Sequence, residues 1–146
     1  MQAHSMDEAA KQRWENLCVL IDVAPFGALF RVDEVVWTAG LGVAYAARTN
    51  RNDHPGCSIR RSGATLGPIP MLHGTSRRSY SHESSRESIA VEDVYGKPHT
   101  TYFGGLDPVP VDQEHWARKN VKPAPKPSLT LVERANMKAL CDRKGW

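Results

Sequence analysis

The sequence predicts a mainly β protein: a small SH3-like antiparallel barrel with an N-terminal and a C-terminal helix. Ten prolines and eleven glycines are spread along the chain, which favours short strands and turns over a helical bundle. Apolar segments of strand length recur between these turn residues at close intervals, as in small barrels. A length of 146 residues is that of a single domain with one hydrophobic core.

The first third of the chain contains a helix signal followed by strand signals. Ser5–Glu8 reads S-x-x-E, which is typical of a capping box and predicts a helix over Met6–Leu17. "CVLIDV" and, further on, "VAYAAR" are strand candidates. Between them, "ALFRVDEVVWTAG" is broken at Asp33. We expect core positions in this segment at Phe30, Val32, Val35 and Trp37.

The middle of the chain alternates between turn clusters and short strands. Residues 49–56, "TNRNDHPG", cluster Asn, Asp, Pro and Gly and predict a loop. "CSIRR" follows as a short strand. Pro68 and Pro70 cannot donate to a ladder, so "PIPML" is predicted as an edge strand or the start of a strand. The polar "SRRSYSHESSRES" predicts a mobile loop, and "SIAVEDV", "TTYF" and "VPV" are the last strand candidates.

The C-terminal part predicts an extended spacer and then a helix. "KPAPKPS" is too rich in proline for a helix. Thr130–Glu133 is a second capping box, and Gly145 suits the end of the helix. We therefore expect one domain over 1–146, composed of an N-terminal extension (1–30), a barrel body (31–112), a proline-rich spacer (121–128) and a C-terminal helix (129–145).

Composition narrows the function classes. A net charge of +3 permits nucleic-acid binding without requiring it. The three cysteines are far apart and lack zinc-site spacing, so we expect reduced thiols, a cytoplasmic protein and no metal or cofactor. The chain has no G-x-S-x-G elbow or phosphate-binding loop, and its polar start and short apolar runs predict neither a secretory signal nor a membrane span.

Two segments carry the residue types needed for metal-free cleavage of RNA. That reaction uses the 2′-hydroxyl as nucleophile, so the protein supplies a base, an acid and a cation. "NRNDHPG" offers Arg51, Asp53 and His54, and "HGTSRR" offers His73, Thr75, Ser76 and Arg77. If the strands beside them pair, both segments lie at one end of a sheet. Each segment by itself is better explained as a common solvated turn than as a site.

The order of three landmarks, "RVDEVVW", "DHPGCSI" and "GPIPMLHGTSR", resembles that of PemK/MazF-like toxins of toxin–antitoxin modules. In outline the resemblance spans residues 31–112. Asp33–Trp37 corresponds to the family's first barrel strand, and Thr75-Ser76 to a strand ending in Thr-Ser. His54-Pro55 stands where the family has Arg-Pro. Either Arg51, Arg60 or Arg77 replaces that arginine, or His54 acts as the acid or base.

The resemblance implies an SH3-like barrel that cleaves single-stranded RNA without a metal. It implies two protein partners, a second copy of the chain and an antitoxin. The residues it assigns to catalysis are His54, Thr75 and Arg77. Those assigned to substrate binding are Arg51, His73 and Ser76. A second interpretation of the polar "SRRSYSHESSRES", made from its own residues, is a loop that folds over a bound strand, with Tyr80 stacking on a base as a further substrate-binding residue.

Two alternatives remain open at this stage. One is a non-catalytic SH3-like module that binds a protein or nucleic acid, which the missing arginine before Pro55 favours. The other is an assembly protein that docks a partner through the C-terminal helix, with Leu140 and Trp146 reaching the neighbour.

Overall fold

The computed structural model describes residues 8, 9, 11, 24–42, 53–61, 67–76 and 88–146. Within these ranges seven strands form an antiparallel sheet that curls into a half-barrel, and three helices flank it. The prediction of a mainly β barrel-like fold with flanking helices is confirmed. The predicted N-terminal helix, apart from residues 8, 9 and 11, and the strand candidates "CVLIDV" and "VAYAAR" lie outside the described residues.

The strands follow the order β4-β5-β3-β2-β1-β7, and β6 pairs with the first part of β3. A hydrogen bond from the backbone N–H of Lys126 in β7 to the carbonyl of Val94, just after β4, joins the two ends of this order at 3.1 Å. The elements are β1 (Ala28–Asp33), α1 (Glu34–Leu41), β2 (Asp53–Ser58), β3 (Ile69–Thr75), β4 (Ile89–Glu92), β5 (Thr100–Phe103), β6 (Val109–Val111), α2 (Gln113–Ala117), β7 (Val121–Ser128) and α3 (Leu131–Lys144).

The sheet separates two hydrophobic clusters, because successive side chains of a strand point to opposite faces. On one face, Phe30 and Val32 of β1 pack with Trp37 of α1. On the other, Leu29 packs with residues of α3. The second cluster includes Cys57, Leu72, Phe103, Met137, Leu140 and Cys141. Each face of the sheet is therefore covered by a different helix.

The predicted loop at 49–56 is wrong for its last four residues, which belong to β2. β2 pairs with β1 on one side and β3 on the other, so neighbouring strands override its turn-like composition. Gly56 serves close packing rather than a turn. A Cβ there would lie 2.8 Å from both Met71 Cγ and Val32 Cγ2.

The first landmark, Asp33–Trp37, is not a strand as the resemblance implied. β1 ends at Asp33, and α1 begins at Glu34. Phe30, Val32 and Trp37 are core residues as expected, whereas the expected core position Val35 is 60% exposed. A helical turn after Asp33 places residues 36 and 37 on the sheet side and turns residue 35 outward.

The segment 121–128 is a strand of the sheet rather than a spacer, which corrects the predicted boundary of the barrel body. β7 pairs with β1 and lies at one end of the strand order. Prolines are tolerated at such an edge because its outer side donates to no further strand. The "PIPML" segment, by contrast, starts a central strand, since β3 pairs with β2, β5 and β6.

The prediction of a C-terminal helix from its capping signals is confirmed. The Thr130 side chain accepts a hydrogen bond from the Glu133 N–H, Glu133 accepts one from the Thr130 N–H, and Gly145 adopts a φ of 74° after the last turn. Leu140 is fully buried and Trp146 packs against the same cluster. The expectation that Leu140 is free to reach a partner is therefore wrong.

Candidate functional site

An open cleft of about 340 Å³ lies beside Arg31 and is bordered by β1, β2, β5, β7 and the turn between β4 and β5. None of the described residues that line it is acidic. Its described lining residues are Arg31, His54, Pro55, Ser76, Val94, Tyr95, Lys97, His99, Thr101 and Pro125. We call it the Arg31 cleft. Its volume lies in the range of small-ligand sites.

Arg31 reaches the cleft because the side chains of β1 alternate between the two faces of the sheet. It is the one exposed residue of an otherwise buried or half-buried strand. In the sheet register Arg31 stands between Pro55 of β2 and Lys122 of β7. These three residues form a row across three strands, and the side chains of such a row share one face. Two cations, of which Arg31 lines the cleft, thus face each other across the β1–β7 ladder.

Asp53 connects Arg31 to an aromatic ring. Arg31 Nη2 donates to Asp53 Oδ2 at 3.1 Å, and Tyr95 Oη donates to Asp53 Oδ1 at 3.2 Å. The Arg31 Cζ atom lies 5.0 Å from the centroid of the Tyr95 ring, within cation–π range. The carboxylate therefore holds the guanidinium and the phenol together on the cleft side of the sheet.

The turn between β4 and β5 supplies the other wall. Asp93 and Gly96 adopt positive φ angles of 62° and 79°, which reverse the chain tightly. The Asp93 N–H donates to the His99 carbonyl at 2.9 Å and closes the turn. Tyr95, Lys97 and His99 all line the cleft from this turn. Lys97 and His99 are exposed, so their polar groups are available to a ligand.

The predicted site residues His54 and His73 lie together, but in the core. His54 stands opposite Val32 in the ladder and so points to the α1 side of the sheet. Its Nε2 lies 3.1 Å from Glu34 Oε1, and its side chain is only 10% exposed. The His73 ring is 4.6 Å from the His54 ring and 5.0 Å from Trp37.

This environment keeps His73 neutral at physiological pH. Burial, with a smaller contribution from the neighbouring His54, lowers the pKa of His73 from its ordinary value to about 3. A general base or acid needs a pKa near the operating pH. As it stands, His73 is a packing residue of the α1 side.

The remaining predicted site residues lie in three places: the core, the Arg31 cleft and the part of the chain outside the described residues. Thr75 is buried, and strand alternation places it on the same face as His73. Ser76, the next residue, is exposed and lines the Arg31 cleft, and His54 borders it with its small exposed part. Arg51, Arg77 and Tyr80 lie outside the described residues. The structure thus brings Ser76 and His54 to the cleft and leaves His73 and Thr75 away from it.

Sequence reasoning missed Arg31, Tyr95, Lys97 and His99. Arg31 had a usable signal, because it is the one charged residue within the run "ALFRV". A polar residue inside an apolar strand points to a solvated face or a site. The three residues of the turn had no such signal, since "YGKPH" reads as an ordinary surface turn.

Among the described residues, no group of three or more His, Cys, Asp or Glu side chains is arranged to hold a metal ion. No described helix combines the length and hydropathy that a membrane crossing requires.

Comparison with known proteins returned no match: no protein-family model, no curated protein and no solved structure is significantly similar to this chain. The resemblance to PemK/MazF-like toxins therefore stays a prediction.

Proposed function

We propose that this chain binds single-stranded RNA in the Arg31 cleft. The observation that carries the proposal is the pair of cations, Arg31 and Lys122, that face each other across the β1–β7 ladder beside a cleft with no acidic residue among its described lining. Like charges directly opposite each other in a sheet are destabilising. Asp53 offsets part of that repulsion through its ion pair with Arg31, and an RNA phosphate placed between the two cations offsets it further while it accepts charge-assisted hydrogen bonds from Arg31.

The cleft also offers a surface for a base. Tyr95 is half-buried in the cleft wall, and Val94, Pro55 and Pro125 provide apolar surface beside it. Bases of single strands stack on such aromatic side chains, whereas the bases of a duplex are already paired and stacked. Ser76 and Thr101 add hydroxyl groups that hydrogen-bond to ribose or base edges. A single strand is therefore the form of RNA that fits.

The test is binding of a labelled single-stranded RNA of mixed sequence, followed by fluorescence anisotropy at several salt concentrations. Arg31→Ala and Lys122→Ala are each expected to weaken binding about tenfold and to reduce the salt slope by about one. Arg118→Ala removes the same charge from the exposed end of α2 and serves as the matched control. Equal effects of all three variants, or no RNA binding at all, would refute the proposal.

A second candidate, metal-free cleavage of the bound RNA as the resemblance implies, is favoured by the position of Arg31. Arg31 stands directly across from Pro55 in the β1–β2 ladder. Pro55 corresponds to the proline that follows the arginine of the toxins. A cation is therefore present next to the His54-Pro55 pair, although it comes from the neighbouring strand and shares the face of Pro55 rather than that of His54. His99 is the exposed imidazole of the cleft and Ser76 is an exposed hydroxyl, so both are available for proton transfer.

Cleavage is tested by incubating the RNA with the chain in excess chelator and separating the products. Products that form in wild type, and disappear in Arg31→Ala and His99→Ala while both variants still fold, support the ribonuclease. Bound but intact RNA rejects cleavage and supports the non-catalytic binding module. The antitoxin and the homodimer belong to the ribonuclease candidate and remain predictions with it.

A further inference from the structure

Asp53 is placed to compete with RNA for Arg31. Each oxygen of its carboxylate accepts one hydrogen bond, from Arg31 at 3.1 Å and from Tyr95 at 3.2 Å. Asp53 is not among the residues that line the cleft, whereas both of its hydrogen-bond donors, Arg31 and Tyr95, are. In the unliganded protein the guanidinium is therefore already paired with an anion.

We infer that an RNA phosphate binds by displacing Asp53 from Arg31, so that Asp53 sets the affinity of the cleft. This inference rests on the proposed function, because it names how the same site is regulated. The Arg31 side chain is 50% exposed, and it meets Asp53 through a single nitrogen. Ion pairs of this kind are weak, whereas a phosphate can accept two parallel hydrogen bonds from one guanidinium.

A second carboxylate, that of Asp33, adds to the free-energy cost of moving Arg31 from Asp53 to a phosphate. Asp33 stands directly opposite Asp53 in the β1–β2 ladder. When Arg31 turns to a phosphate, Asp53 loses its cationic partner while it still stands opposite Asp33, and like charges so placed repel. Tyr95 still holds the other oxygen of Asp53, so the carboxylate stays close and reclaims Arg31 when the phosphate leaves. The wild-type cleft is therefore held below its full affinity.

The deciding variant is Asp53→Asn, which keeps the shape of the side chain and removes its charge. Binding of a fluorescent single-stranded RNA octamer is measured by anisotropy at several concentrations of KCl. We expect Asp53→Asn to bind about three- to tenfold more tightly at low salt, with a salt slope steeper by about one. The gain should vanish in Arg31→Ala/Asp53→Asn. Glu114→Gln, which removes one acidic charge from exposed α2, is the matched control and should change the affinity less than twofold.

The outcomes separate this inference from the proposed function. RNA binding that depends on Arg31, but is equal or weaker in Asp53→Asn, overturns the displacement inference and leaves the proposed function standing. If no variant binds RNA, the proposed function fails, and the same variants are then titrated with inorganic tripolyphosphate by calorimetry. Tighter tripolyphosphate binding by Asp53→Asn retains the inference, and equal, weaker or absent binding overturns it.

Discussion

Replacing His73 with phenylalanine should make the stability of the protein less sensitive to acid. The His73 side chain is 3% exposed and packs between the His54 ring and Trp37. Burial, and secondarily the charge of His54, lowers the pKa of His73 from 6.5 to about 3 in the folded protein. Phenylalanine keeps an aromatic ring of similar size in this place but cannot bind a proton.

The size of the effect follows from proton linkage. Below pH 6.5 the unfolded chain protonates His73, whereas the folded protein does not do so until the pH approaches 3. The contribution of neutral His73 to stability is therefore complete above pH 6.5. As the pH falls from there, the unfolding constant rises by about tenfold per pH unit. Between pH 7.5 and pH 5.0 this single group removes about 2 kcal/mol.

Urea unfolding at pH 7.5 and pH 5.0, followed by tryptophan fluorescence, measures the loss. We expect the difference in unfolding free energy between the two pH values to shrink by about 2 kcal/mol in His73→Phe. Met71→Leu, on the same strand and the same face, is the control for lost packing and should lower stability equally at both pH values. An unchanged pH difference in His73→Phe would show that His73 is not the buried acid-sensitive group.

Three further predictions concern the packing of the two faces. Glu133→Gln should lower the unfolding free energy by about 3 kcal/mol in urea titrations, because Lys126 Nζ, 2.8 Å from Glu133 Oε1, loses its charged partner in a mostly buried place and keeps the neutral Glu92 carbonyl; a loss below 1 kcal/mol would contradict this. Gly40→Ala should cost about 1 to 3 kcal/mol, since its Cβ would come within 2.9 Å of Val109 Cγ2, and adding Val109→Ala should restore part of that stability. Burial raises the pKa of the Cys57 thiol far above its ordinary range, so iodoacetamide should modify Cys57 only after unfolding, which peptide mass spectrometry detects; equal labelling of the folded protein would refute it.

The parts of the fold that the sequence predicted well are those determined by local signals. The capping box at Thr130–Glu133 lies where the residue pattern placed it, because caps depend on residues three positions apart. The strands at residues 89–92, 100–103 and 109–111 lie within apolar segments bounded by turn residues. The errors at 53–56 and 121–128 have the opposite origin. Both segments are rich in residues that disfavour strands, and pairing with neighbouring strands makes them strands: β1 pairs with both, and β3 also pairs with β2.

The site was harder to predict than the fold, because its residues come from several segments that are far apart along the chain. The resemblance pointed to His54 and Thr75, whose side chains the pleat directs to the α1 face, so that Thr75 is buried away from the cleft and His54 borders it only with its small exposed part. A one-residue step along a strand separates Thr75 in the core from Ser76 in the cleft.

The run "ALFRV" marks Arg31 as the charged residue of an apolar strand, but only the register shows that it lies between Pro55 and Lys122, residues that are far from it along the chain. That register is also why two cations face each other across the β1–β7 ladder. A sheet that needed only stability would favour a carboxylate or an apolar residue opposite Arg31, because like charges in this position repel. Asp53 offsets part of that repulsion by pairing with Arg31. If an RNA phosphate binds beside the two cations, Lys122→Glu, which reverses the charge opposite Arg31, is expected to weaken RNA binding more than Lys122→Ala does, while leaving the protein folded and at least as stable in urea.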